Sequence, residues 1–247
     1  MRRRVATIAI VAVCAIAPPA SAQPPQWPEK FWVSVGGGVQ PVSNSFSDDF
    51  TKPLYTEDEQ VSVDYAIKSG ALVAGSVGYR VWKRLAFGVG VTYYSSSGDA
   101  GVEAELPHPF FDRQFRHVSG TTPASRDETG AHIMAAWLLP LSNRFRVILS
   151  AGPSVLNVSQ TVVTDVQFSE TFPYDTAEFT GASKTKASNT AIGVNVGADL
   201  FWLFTAKMGA GGLVQYTHGR AKLRADNRTL SVDAGGAQIA AGLRFLF

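Results

Sequence analysis

The histidines and their neighbours are the first place to look for chemistry in this chain. His117-Val118-Ser119 sets a histidine two residues before a serine, and Glu128 follows shortly after. A histidine oriented by a carboxylate can take the proton of a serine hydroxyl and launch it at an acyl carbon, so the trio suits acyl hydrolysis. The motif is short, arises freely by chance, and lies in a hydrophilic stretch. His108 sits between Pro107 and Pro109, His218 ends an alternating segment, and His132 has no second ligand at useful spacing. No catalytic residue, metal site or cofactor is therefore expected. The single cysteine, Cys14, excludes an internal disulfide and a Cys/His zinc cluster.

The ionic residues suggest a different use. The 247 residues carry 22 basic and 20 acidic side chains, a net charge of +2, and a mean hydropathy of +0.04. This balance argues against a nucleic-acid binder. Charged residues make up 17%, below the roughly 25% usual in soluble domains. Part of the positive charge belongs to a targeting segment. Arg2-Arg3-Arg4 precede an apolar run from Val5 to Ala17, and Ala20-Ser21-Ala22 supply a small-residue cleavage site. Residues 1–22 read as a cleaved secretory signal, too short in its apolar run for the ~20 residues of a spanning helix. Removal takes away three arginines and Cys14, leaving 19 basic against 20 acidic residues.

The elements that must position the remaining charges alternate with period two. Eight such segments begin at Phe31, Val61, Leu85, Thr129, Phe145, Ala191, Lys207 and Ala237. The clearest sets Leu85, Phe87, Val89, Val91 and Tyr93 against Ala86, Gly88, Gly90, Thr92 and Tyr94. The second is read as one strand from Val61 to Val81, and Pro153 predicts a bulge in the fifth. Short connections at 82–84, 140–144 and 203–206 alternate with long loops at 40–60, 95–128, 161–190 and 218–232. Loops of this length count against a compact soluble domain, but short turns alternating with long loops suit an outer-membrane barrel.

Four features put the apolar face outside. Trp32, Trp82, Trp137 and Trp202 cluster at the short-turn ends, where an aromatic girdle belongs, and Tyr65, Tyr93, Tyr94 and Tyr216 lie towards the other end. The opposite face is glycine, alanine and serine with scattered charges: Asp64, Lys68, Arg80, Glu128, Arg146, Asp199, Lys207 and Arg244. These are expected to pair inside a narrow lumen, because unpaired charge in low dielectric is costly. Leu243, Phe245 and Phe247 end the chain in alternation. Closure into a barrel pairs every backbone group without water.

On these residues the chain resembles the OmpA/OmpX-type family of small outer-membrane β-barrels over residues 31–247, without a peptidoglycan-binding domain. The resemblance implies an eight-stranded antiparallel up-and-down transmembrane β-barrel in a Gram-negative outer membrane. It implies a short periplasmic segment at 23–30, periplasmic termini, and a final strand read by the insertion machinery. The expected role is structural or surface-interacting, through long extracellular loops above a plugged lumen. The expected partners are outer-membrane lipid and lipopolysaccharide, with no nucleic acid, and the chain is expected to be a monomer. Pro109-Phe110-Phe111 and Phe115, interleaved with Arg113 and Arg116, form a candidate contact cluster. The first alternative is a narrow small-solute porin-like channel. The second is a lipid-modifying barrel enzyme, because the His117-x-Ser119 spacing resembles that of barrel lipid A deacylases.

Overall fold

A computed structural model describes residues 26–41, 45–226 and 228–247. The proposed signal segment lies outside these residues. Ten strands follow in order: β1 Phe31–Gln40, β2 Ser45–Leu54, β3 Glu57–Ala66, β4 Gly70–Trp82, β5 Leu85–Pro107, β6 Phe115–Pro140, β7 Phe145–Glu170, β8 Ala177–Leu203, β9 Met208–Ala225 and β10 Arg228–Leu246. Eight of them, β1 and β4 to β10, close an antiparallel ring, with β1 pairing both β4 and β10. The ring is sealed where the chain ends meet, since Phe31 and Phe247 exchange backbone N–H···O bonds of 3.0 and 2.8 Å. The tight turns fall at 83–84, 141–144 and 204–207, where the short connections were expected. These turns and the chain ends define the near end.

The far end differs from expectation. The predicted long loops are mostly strand, and among the described residues the far connections at 55–56, 108–114 and 171–176 are short. Strands β5 to β8 run 23 to 27 residues, more than twice the ~9–11 needed to cross a bilayer. The reason is visible along β5. From Leu85 to Tyr93 the apolar residues are odd-numbered and point outward, with Phe87, Val89, Val91 and Tyr93 at least half exposed. From Ala100 to Leu106 the apolar residues are even-numbered and point inward, with Ala100, Val102, Ala104 and Leu106 almost wholly buried. Asp99, Glu103 and Glu105 now face out. The alternation does not stop; its polarity reverses.

The single strand expected over 61–81 is two, β3 and β4, broken at Ile67–Ser69. Strand β3 is not in the ring. The β2–β3 hairpin instead adds to the far half of β5, from Gln60↔Glu105 to Ala66↔Asp99. The far halves of the hairpins therefore form a head with its own apolar core, including Val63, Leu106, Val158, Val162 and Leu223, all 0% exposed. Full burial of such a side chain contributes about 1.5–3 kcal/mol. The bulge expected at Pro153 is absent. The β6–β7 register runs unbroken from His132↔Ser154 to Ala135↔Ala151, with the ladder merely open between those pairs. There the Asn195 side-chain amide donates to the Gly152 carbonyl at 2.9 Å, supplying a local partner.

Candidate functional site: the barrel interior and the head above it

Small residues on the inward face of the ring leave room for large polar ones, and these stack in tiers. At the near mouth, residues before β1 fold into the opening. Trp27 packs edge-on to Phe201 at 5.8 Å, Arg146 lies 4.9 Å over the Trp27 ring, and Arg146 pairs with Glu29. Trp32 joins Trp27, Leu138, Ile148 and Leu246 in this apolar layer. Gly78 makes the space, because a Cβ there would fall 2.1 Å from the Trp32 ring.

Above lies a two-pronged ion pair. Arg244 donates Nε to Asp199 Oδ2 at 2.6 Å and Nη2 to Oδ1 at 2.8 Å. Beside it is a cavity of about 40 Å³, roomy enough to hold water. His132 spans the next tier. Its Nε2 meets Thr92 Oγ1 at 3.0 Å and its Nδ1 meets Ser154 Oγ at 2.8 Å, so both ring nitrogens are used. Buried polar atoms Asn195 Oδ1, Gln215 Nε2 and Gln238 Oε1 have no protein partner here. The top tier joins Arg126 Nε to Glu128 Oε1 at 2.6 Å, while Glu128 Oε2 accepts the Gly235 N–H at 2.8 Å. Gly235 has φ +84°, a conformation that side-chain-bearing residues rarely adopt. Gln238 donates to Gln40, which donates to the Gly235 carbonyl.

The head's apolar core follows directly. Its polar exceptions are paired or perturbed. Tyr65 OH accepts the Val163 N–H at 2.7 Å, and burial pushes its hydroxyl up to about 12. Burial also raises the Asp48 carboxyl, against the pull of Arg228 at 3.0 Å. Glu59 is raised for the same first reason, with Asp165 adding to it.

The eight residues expected in the lumen divide. Glu128, Arg146, Asp199 and Arg244 are inside and buried. Asp64 and Lys68 are not; they face outward from the head, where Asp64 accepts the Ser47 hydroxyl and Lys68 meets Asp99 at 3.5 Å. They were misplaced because the break after β3 separates a head strand from a ring strand. Arg80 lies at the near mouth, donating to the Pro28 carbonyl at 2.9 Å, and Lys207 is exposed in the 204–207 turn. Among the described residues two ions of the lumen went unseen: Arg126, 2% exposed, in a supposed loop, and Glu29, outside the strands.

Of the four tryptophans, Trp82, Trp137 and Trp202 point outward at 67, 48 and 44% exposure. Trp32 does not. It is 4% exposed, on the even-numbered face that alternation assigns to the interior. Tyr93 and Tyr216 face outward, whereas Tyr65 and Tyr94 are buried. Leu243 and Phe247 are exposed at the near end, with Phe245 between them on the same outward parity. The hydrolytic trio does not assemble. His117 and Ser119 lie on the outer face of β6, His117 near Glu105 at 3.7 Å, while Glu128 points inward to Arg126.

A family profile described as outer membrane protein beta-barrel domain matches residues 6–245. The chain belongs to this family. No curated protein matches it in sequence. Solved outer-membrane barrels are similar in fold. Neisserial surface protein A shares 13% identity, with 88% of this chain and 97% of that one covered and a TM-score of 0.45. OprG from Pseudomonas aeruginosa shares 10%, covering 90% and 98%, with a TM-score of 0.49. Ail, the attachment invasion locus protein of Yersinia pestis, shares 11%, covering 88% and 99%, with a TM-score of 0.39. As a member of the outer-membrane β-barrel family, the chain is an antiparallel transmembrane barrel, and its outward apolar belt faces lipid.

Proposed function

We propose that the protein is a non-conducting outer-membrane anchor for a surface-exposed β-sheet head, with the contacts made by the head. The observation that supports this most is the filling along the axis. Polar tiers occupy the lumen, and the apolar core of the head lies directly above them. An ion following the lumen would meet that dry core, where it has no ligands and pays the full cost of desolvation. In this reading both chain ends face the periplasm, residues 1–22 direct export, and Leu243, Phe245 and Phe247 serve the insertion machinery. The membrane partner is lipopolysaccharide phosphate. Arg220, Lys222 and Arg224 stand in a row on the outer face of β9, just beyond Tyr216, where anionic headgroups belong. No catalytic role is proposed.

Planar-bilayer conductance of the refolded chain tests this reading. No stable current steps are expected, and steady nanosiemens steps would overturn it. A narrow channel is the second reading, favoured by the cavity and its unpartnered polar atoms. In that case Asp199→Ala with Arg244→Ala would raise conductance, whereas a lumen capped by the head core stays silent.

A further inference from the structure

The tip of the head carries aromatic rings that neither core uses. Phe110, Phe111 and Phe172 are 69, 58 and 82% exposed. They sit in the 108–114 and 171–176 turns, about 30 Å beyond the lipid-facing belt by strand rise and tilt, too far to meet membrane headgroups. The rings form one surface. Phe110 meets Tyr174 at 5.6 Å, Tyr174 meets Phe172 at 6.0 Å, and His108 stacks towards Phe111 at 4.8 Å.

This surface is held from beneath. Arg116 donates to the Pro107 carbonyl at 2.8 Å and the Tyr174 carbonyl at 3.1 Å, and pairs with Glu170, which also accepts the Tyr55 hydroxyl. The Arg113 N–H bonds the Glu57 carboxylate at 3.1 Å. Three separate turns are thus fastened into one platform, which lowers the ordering cost of binding. Arg116 is spent inside the platform, so the cluster that looks aromatic and basic in sequence is aromatic and acidic in space. Its exposed rim carries Asp58, Asp112, Asp175 and Glu178 against Arg113 and the buried His108 ring, whose Nε2 lies 3.8 Å from Asp175.

We propose that the tip docks a cationic polypeptide segment, with Lys or Arg side chains over Phe110 and Phe172 and the rim carboxylates meeting their charge. The proposal rests on the surface-contact reading and names the chemistry of the partner. An anionic partner would be repelled by the rim, and a purely apolar one would desolvate carboxylates without pairing them. Aromatic faces attract such cations, and the chain uses the contact internally, with Arg228 3.5 Å over the Phe50 ring.

The test uses the full chain in zwitterionic nanodiscs and fluorescein-labelled nona-arginine, read by anisotropy. Saturable binding that weakens with salt is expected. Phe110→Ser with Phe172→Ser should lower affinity about tenfold, the loss of two exposed cation–π contacts. Asp112→Asn with Asp175→Asn should lower it several-fold and flatten the salt dependence. All four positions are exposed, so heat-modifiable gel mobility should persist in both variants. Unchanged binding in the phenylalanine double variant would overturn the proposal, because carboxylates elsewhere on the head would then hold the peptide. Binding of anionic vesicles that is lost in the phenylalanine double variant would overturn it as well, whereas the Arg220, Lys222 and Arg224 row would hold such vesicles in both chains alike. A parent chain lacking heat-modifiable mobility would sink the barrel reading itself, and that failure has a different signature.

Discussion

Lysine placed at three positions of β5 tests the reversal of polarity along that strand. Val91 points outward in the apolar belt, Glu103 points outward in the head, and Val102 points into the head core. Eight residue steps separate Leu85 from Tyr93, ~26 Å of strand, or about 20 Å of height at a tilt near 40°. That approaches the ~25 Å apolar band of outer-membrane barrels, so Val91, two residues short of Tyr93, lies in lipid about 5 Å below the far edge of the belt. Val91→Lys, between the midplane and the interface, should cost about 1–3 kcal/mol of barrel stability. Glu103→Lys, on the same outward parity, should stay within about 0.5 kcal/mol. Val102→Lys loses about 1.5–3 kcal/mol of apolar burial and adds the larger cost of an unpaired buried charge. It should open the head while the barrel persists. Urea titration in lipid vesicles, followed by heat-modifiable mobility, reads the barrel. Limited proteolysis between residues 95 and 128 reads the head. Equal loss of barrel stability in Val91→Lys and Glu103→Lys would refute the reversal, because both positions would then be in lipid. A neutral Val91→Lys would refute the lipid-facing belt.

Other perturbations separate the remaining contacts. Arg126→Met leaves Glu128 buried without its ion partner and should cost about 3–5 kcal/mol, whereas Arg126→Met with Glu128→Gln should recover much of that, both read by urea midpoint. Trp32→Ala empties the space opposite Gly78 and should cost about 3–5 kcal/mol, well above Trp82→Ala at the exposed rim. Glu59 sits above its ordinary 4.5, so its protonated form is favoured in the folded head. Stability from this group is greatest below that ordinary value and falls as pH rises through the raised one. Glu59→Gln should therefore remove a decline in head stability as pH rises above the ordinary 4.5, measured by proteolysis across pH.

The ring was legible because the lipid-facing stretch of most of its strands keeps one apolar parity, as Leu85–Tyr93 does, and because the tight turns interrupt that parity where the chain must reverse. The head was not legible for the same physical reason. Its strands continue those of the ring, but the surroundings change from lipid to water, so the apolar residues must move to the inward parity. Around the crossing the residues are Ser95, Ser96, Ser97 and Gly98, which suit either face and read as a loop. A search for alternation that allows the parity to switch within one strand would have joined Leu85–Tyr93 to Ala100–Leu106.

The interior ions were legible only where this parity held. Glu128, Arg146, Asp199 and Arg244 share the inward parity of the ring, and all four are buried. Asp64 seemed to share it only because Val61–Tyr65 and Val73–Tyr79 have apolar residues at odd positions throughout. In the first set those residues face the head core, and in the second they face lipid. The same odd parity therefore places Asp64 in water and would place an ion in β4 inside the barrel. Which face an ion occupies depends on the solvent around its strand as well as on its register. Trp32 shows that register alone suffices once the solvent is settled: β1 lies wholly in the ring, Phe31 and Val35 face out, and an even-numbered tryptophan between them has to fill the lumen.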